Sequence, residues 1–141
     1  MKKLKLNEIA DEFTMINSES SLFYNTETGK FEYYGEYMDL GDDDIEKYED
    51  DIYIAAPSQW DLDEYNIMEE FVGAVTDPHK NELLSVAIEG RGAFRRFKDT
   101  LYRVDLIDLW YTFKNNAFIE IAREWCERNG IEYVENATAN V

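Results

Sequence analysis

Cations are scarce in this chain of 141 residues: 14 Lys and Arg stand against 31 Asp and Glu, for a formal net charge of −17. A field of that sign repels polyanions, which argues against direct nucleic-acid binding by the chain as a whole. Cysteine occurs once, at Cys126, so an internal disulfide and any Cys-rich zinc site are excluded. Its place in a helical pattern makes Cys126 a small buried hydrophobe. Histidine also occurs once, at His79. No apolar run approaches the ~20 residues a membrane helix needs. The opening MKKLKLNEIADEF is basic at first, but Asn7, Glu8, Asp11 and Glu12 interrupt any apolar region behind it. The expectation is a cytoplasmic protein with no signal peptide. No stretch is rich enough in Pro, Gly or Ser to act as a linker, and no internal repeat is present.

What the chain does contain is core-forming material. Hydrophobic residues make up 45% and aromatics 15%, which argues against global disorder despite the charge. At this length a single domain buries roughly 70% of its unfolded surface. One domain over residues 1–135 is expected, with a frayed tail at 136–141. Charge is uneven along it. Residues 1–70 hold 5 cations against 20 carboxylates, and residues 71–141 hold 9 against 11.

Periodicity supplies the elements. Leu6, Ile9, Ala10, Phe13 and Ile16 recur at helical spacing and predict a helix over 6–17, with Asn7 as N-cap. Two aromatic-rich runs, 21–25 and 30–34, flank Thr26-Glu27-Thr28-Gly29 and predict a β-hairpin; Gly29 supplies the positive φ of the turn. Ile52-Tyr53-Ile54-Ala55 reads as a third antiparallel strand stopped by Pro57. From Asp61 onward the pattern is helical. One stripe runs through Leu62, Tyr65, Met68, Phe71, Val72 and Val75 and breaks at Asp77-Pro78. A second helix ends at Gly90 and a third opens after Gly92. A fourth runs from Leu106 through Trp110 and Trp125 and closes at Asn129-Gly130, with Glu124 and Arg128 as an i,i+4 pair. Ile131–Val134 predicts a last short strand. The fold class is therefore α+β: a small antiparallel sheet, hairpin plus third strand, packed against a helical layer from the C-terminal two-thirds.

Two segments carry unusual charge. Residues 36–51, EYMDLGDDDIEKYEDD, hold nine carboxylates and one cation, Lys47. An EF-hand starting at Asp39 fails: Gly41 takes ligand position 3, Asp44 the position that needs Gly, and Asp50 the position of the bidentate Glu. A solvated acidic loop, a docking segment built on Asp42, Asp43, Asp44, Glu46, Glu49, Asp50 and Asp51, or mimicry of a nucleic acid by ordered carboxylates remain as readings. The second segment is Gly90–Lys98, GRGAFRRFK, with four cations and two glycines. Phe94, Phe97 and Leu101 are expected to face the core. Cations in a first helical turn oppose the macrodipole, which a bound anion would relieve. Arg91, Gly92, Arg95 and Arg96 are thus a candidate anion or phosphate site. The alternative is pairing with Asp99, Glu69, Glu70 or Glu89. The G-x-G-x-x-R string follows a predicted helix and lacks a third Gly, so it is not a dinucleotide fingerprint. Nothing links His79 to Cys126 as a nucleophilic pair. No metal or cofactor motif is present. Tyr33, Tyr34, Tyr37, Tyr48, Tyr53, Trp60 and Tyr65 cluster along the chain; most are expected in the core or on the sheet, some lining a groove for a partner, with Trp60 partly exposed.

Met68-Glu69-Glu70-Phe71, the block Gly90–Lys98 followed by Asp99, and the helix from Trp110-Tyr111 to Trp125 together resemble a bacterial protein family of uncharacterised, small, acidic members. The hairpin ending in Thr28-Gly29 is similar to the family's early strands. The resemblance covers most of residues 20–130. It implies the fold outline and carries no enzymatic activity. The sequence reading is a noncatalytic protein-interaction domain meeting a basic or amphipathic protein partner, against two alternatives: an anion binder at the Arg block, which could be an enzyme, and a DNA mimic.

Overall fold

The computed structural model describes residues 3–17, 20–35 and 47–135. Within them the chain forms an α+β fold with a small antiparallel sheet. Its elements are β1 (Leu4–Lys5), α1 (Leu6–Phe13), β2 (Ser20–Asn25), β3 (Lys30–Gly35), a 3-10 turn (Lys47–Glu49), β4 (Tyr53–Ala55), α2 (Gln59–Leu62), α3 (Glu64–Ala74), α4 (Pro78–Ala87), α5 (Ala93–Arg103), α6 (Ile107–Arg128) and β5 (Tyr133–Val134). Contacts sort the chain into two units, Met1–Leu62 with Phe118–Val141, and Asp63–Ala117.

The first unit is built on the predicted hairpin. Asn25 pairs with Lys30 across a four-residue turn, and Gly29 closes it at φ +72°. The turn is specified by Asn25, whose side-chain oxygen accepts from the N–H groups of Glu27 (2.9 Å) and Thr28 (3.1 Å). Strand β4 adds antiparallel to β2, giving the order β3-β2-β4. Alternation along β2 and β3 sends Tyr24 and Phe31 to one face, where they meet Phe13 of α1 and Trp125 of α6. The ring centroids lie 5.6 to 6.0 Å from Trp125. The Trp125 indole N–H donates to the Ala55 carbonyl at 2.9 Å, tying α6 to β4. Cys126 is buried beside it, as expected. The opposite sheet face carries Phe23, Asn25, Glu32 and Tyr53. Tyr48 stacks on Phe23 at 4.3 Å, and Lys47 pairs with Glu32 at 3.1 Å. The Asn25 amide and Lys47 hold the Glu32 carboxyl below its usual range.

The second unit centres on Phe71, Phe97, Trp110 and Phe113, whose rings meet edge to face at 4.8 to 6.2 Å. Asp77 caps α4 by accepting from the His79 and Lys80 N–H groups, with Pro78 at the first helical position.

Several local expectations are corrected. Helix α1 stops at Phe13, and its N-cap is Lys5; Asn7 lies inside the helix with a buried side-chain oxygen that has no partner among the described residues. The stripe from Asp61 is two helices. Ser58 and Asp61 form a reciprocal capping box that starts α2 (3.0 and 3.1 Å), and Asp63, left-handed at φ +46°, ends it and caps α3. The pair that forms on α6 is Arg123 with Glu120, at 3.2 Å, in place of Arg128 with Glu124. The last strand, β5, pairs in parallel with β1, an element that no pattern announced. Of the acidic segment, Glu49, Asp50 and Asp51 are exposed beside the sheet. Asp42, Asp43, Asp44 and Glu46, with Tyr37 and the tail 136–141, lie outside the described residues.

Candidate functional site

The cationic block opens α5 within the unit 63–117. Two left-handed glycines, Gly90 at φ +73° and Gly92 at φ +74°, turn the chain from α4 into α5. That turn leaves the last carbonyls of α4 and of the turn itself without helical partners. Side chains from two other helices supply them. The Arg96 guanidinium donates to the carbonyls of Ala87 (3.1 Å), Glu89 and Arg91. The Tyr65 hydroxyl of α3 donates to the Ile88 carbonyl at 2.7 Å. Arg96 therefore opposes the dipole of its own helix while completing the negative end of the preceding one. Gly92 has no room for a side chain here: an added Cβ would stand 3.1 Å from the Arg96 Nη1.

The other three cations have different surroundings. Arg91, Arg95 and Lys98 are exposed, and their side chains make no hydrogen bond or salt bridge among the described residues. None of the carboxylates proposed from sequence, Asp99, Glu69, Glu70 or Glu89, forms an ion pair with the block; Glu70 accepts from Asn66 at 3.1 Å instead. Phe94 is corrected from core to surface: it is 49% exposed, and its ring meets Tyr65 edge-on at 6.5 Å. The buried face of α5 is Ala93, Phe97, Thr100 and Leu101. Residues 94, 98 and 102 fall about one turn apart, so Phe94, Lys98 and Tyr102 form a stripe that starts at the edge of the packed side and winds to the outer side at Tyr102, where Arg95 lies next to it. Tyr102 is 64% exposed and Tyr111 of α6 is 46% exposed; the neighbouring Tyr111 hydroxyl pushes the Tyr102 hydroxyl up from its ordinary value. Phe94, Tyr102, Arg95 and Lys98 thus lie exposed along α5, the cations without an ion pair among the described residues, with Arg91 exposed just before the helix. The sequence spacing puts Arg95, Lys98 and Tyr102 on one face apart from the core, and only Phe94 had to be moved to the surface.

Elsewhere the chemistry is quieter. Burial pushes the Cys126 thiol up to about 11, with Glu127 adding to it, so the thiolate a nucleophile needs is scarce near neutral pH. Among the described residues no cluster of three His, Cys, Asp or Glu side chains is placed to hold a metal ion. No described helix is long and apolar enough to cross a membrane. Trp60 is 81% exposed at the start of α2. A cavity of about 410 Å³ in the second unit is walled by Phe71, Val75, Leu106, Leu109 and Phe113, with Lys80 at its rim.

Fold and site together define a small acidic α+β protein with a cationic, aromatic helix face. By sequence the chain belongs to an uncharacterised protein family, UPF0158, whose model matches residues 3–140. It is similar to the UPF0158 protein PA5073 of Pseudomonas aeruginosa, 33% identical over 67 residues, which cover 47% of this chain and 44% of that relative. The chain thus aligns with less than half the length of that protein. No solved structure matches.

Proposed function

We propose that this chain is a noncatalytic protein-interaction domain of the cytoplasm and that its contact surface is the exposed side of α5 with Tyr111 of α6. One observation carries the reading: Phe94, Lys98 and Tyr102 stand exposed along one winding stripe of α5 beside Arg95, with Arg91 exposed just before the helix and Tyr111 exposed on α6. Aromatic residues and arginine are the types enriched at the energetic centres of interfaces. The partner is amphipathic, since the face offers rings and charge together. Purification of the chain from its own cells tests this. A protein retained by the wild type and by Trp60→Ser, and lost from the double variant Phe94→Ser with Tyr102→Ser, is the expected result. A retained set indifferent to the double variant refutes it.

A second reading, an anion site at the start of α5, is favoured by Arg91 and Arg95 standing unpaired beside Gly92, whose helix has no side-chain cap. Arg96 contributes only through the turn it braces. Inorganic phosphate then raises the melting temperature of the wild type and leaves that of Arg91→Ala with Arg95→Ala unmoved; no shift in the wild type removes this reading. The DNA-mimic reading rests chiefly on residues outside those described.

A further inference from the structure

Resting on the interaction reading above, we infer that the occupant of the α5 face is a short acidic protein segment that carries apolar side chains on either side of its carboxylates. Phe94 and Tyr102 lie eight residues apart on one helix, roughly 12 Å along its axis. Lys98 stands midway between them, Arg95 lies beside Tyr102 on the same helix, and Arg91 precedes the helix. The face therefore alternates ring, cation, ring. Of the four cations in the block, the fold uses one, Arg96, on its own carbonyls, and the other three have no carboxylate partner among the described residues.

Charge selects the class of partner. Three cations in an otherwise negative chain call for carboxylates or phosphates, and the formal net charge of −17 decides between the two. A polynucleotide carries a charge at every residue and extends past the footprint into the chain's own field. Three neutralised phosphates also give a weak salt slope, about 2 for a single strand, and correspondingly little affinity. A protein segment confines its carboxylates to the footprint. It also supplies apolar groups for Phe94 and Tyr102, and a short exposed contact of this kind is screened beyond about 8 Å at physiological salt, so the distant acidic surface opposes it little.

Site-specific photocrosslinking in the native cell, in the full chain, tests the inference, with Tyr102→p-benzoylphenylalanine as the probe and circular dichroism confirming the fold. The expected adduct is a protein whose crosslinked peptide bears carboxylates flanked by apolar residues. Its yield falls at least tenfold when Arg95→Glu and Lys98→Glu are added, and recovers when the mapped carboxylates are changed to lysine. A protein adduct on a basic or uncharged segment, or one indifferent to the charge reversals, overturns this inference and leaves the interaction reading standing. An adduct with nucleic acid, or none at all, overturns both.

Discussion

Alanine at Gly92 and alanine at Gly90 look equivalent in sequence, and the structure makes them unequal. Both residues have left-handed backbones, at φ +74° and +73°. Each substitution therefore carries the cost of placing an L-residue there, about 1–2 kcal/mol. At Gly90 nothing lies within 4 Å of the added Cβ, and that cost is the whole effect. At Gly92 the Cβ meets the Arg96 Nη1 at 3.1 Å. The tip of a free arginine would swing aside, but this one is held by three carbonyls. A charged hydrogen bond contributes about 1.5–3 kcal/mol when protected, and less in water. The bond to Ala87 is part-buried and the other two are exposed, so displacing the guanidinium adds about 1–2 kcal/mol. Gly92→Ala is thus expected to cost about 2–4 kcal/mol in total, against about 1–2 for Gly90→Ala.

Urea unfolding followed by far-UV circular dichroism measures both, and a double-mutant cycle isolates the contact. Arg96→Ala alone should cost about 2 kcal/mol, and Arg96→Lys nearly as much, because one ammonium cannot serve three carbonyls. With Arg96 already removed, Gly92→Ala should cost no more than Gly90→Ala, so the pair is less than additive by about 1–2 kcal/mol. Gly90→Ala and Arg96→Ala should add. Equal costs for the two glycines, together with additivity in both cycles, would refute the assignment of Arg96 as the brace of the α4–α5 turn.

Other consequences are read from the first unit. Asn25→Ala removes the acceptor for two turn N–H groups and a donor to Glu32, and should lower stability by about 1–2 kcal/mol in the same urea assay. Asn25→Asp keeps the turn acceptor but sets a second carboxylate against Glu32; its deficit relative to wild type should shrink as pH falls and that carboxylate takes up a proton. Trp125→Phe leaves the Ala55 carbonyl without its donor and should cost about 1–3 kcal/mol, with a lowered urea midpoint as the measure. Cys126 has a thiol pKa raised to about 11 in the folded chain, so the native state holds a proton that the unfolded state releases between roughly pH 9 and 11. Stability should fall with rising pH across that window in the wild type and fall less in Cys126→Ala; parallel curves for the two would show that the thiol is not so shifted.

Much of this architecture is legible in the residues. The hairpin is written by two aromatic runs, a Gly at the one left-handed turn position, and an Asn whose side chain mimics the backbone. Asp77-Pro78 and Asn129-Gly130 mark helix ends because capping and backbone freedom are local properties. Local chemistry fails where two stretches distant in sequence meet. The two-residue strand at Leu4 carries no period, and only its parallel pairing with Tyr133–Val134, inside the strand expected over 131–134, makes it one. Asp63, left-handed at φ +46°, breaks the apparent continuity of the stripe through Leu62 and Tyr65, a backbone turn that apolar spacing does not mark.

Phe94 shows how the site itself escaped the pattern. Hydrophobicity groups it with Phe97 and Leu101, and spacing permits that face. The helix instead buries Ala93 and Thr100 with Phe97 and Leu101, which centres its packed side roughly a fifth of a turn away from Phe94. Small residues at the contact let α5 approach its neighbours closely, and their own hydrophobic signal is weak, so a count of large apolar residues points to the wrong centre. Once the face is set by Ala93, the fates of the neighbouring cations follow from angle alone. Arg96 turns back to the carbonyls ending α4, while Arg95, one position earlier and 100° around, points out beside Lys98. Two adjacent arginines of identical chemistry are thereby divided between bracing the turn and standing exposed on the outer side. A single substitution at each should separate the two roles: Arg96→Ala lowers stability, and Arg95→Ala leaves the unfolding midpoint within about 0.5 kcal/mol of wild type while weakening partner retention. Loss of stability from Arg95→Ala, or retention unchanged by it, would contradict that division.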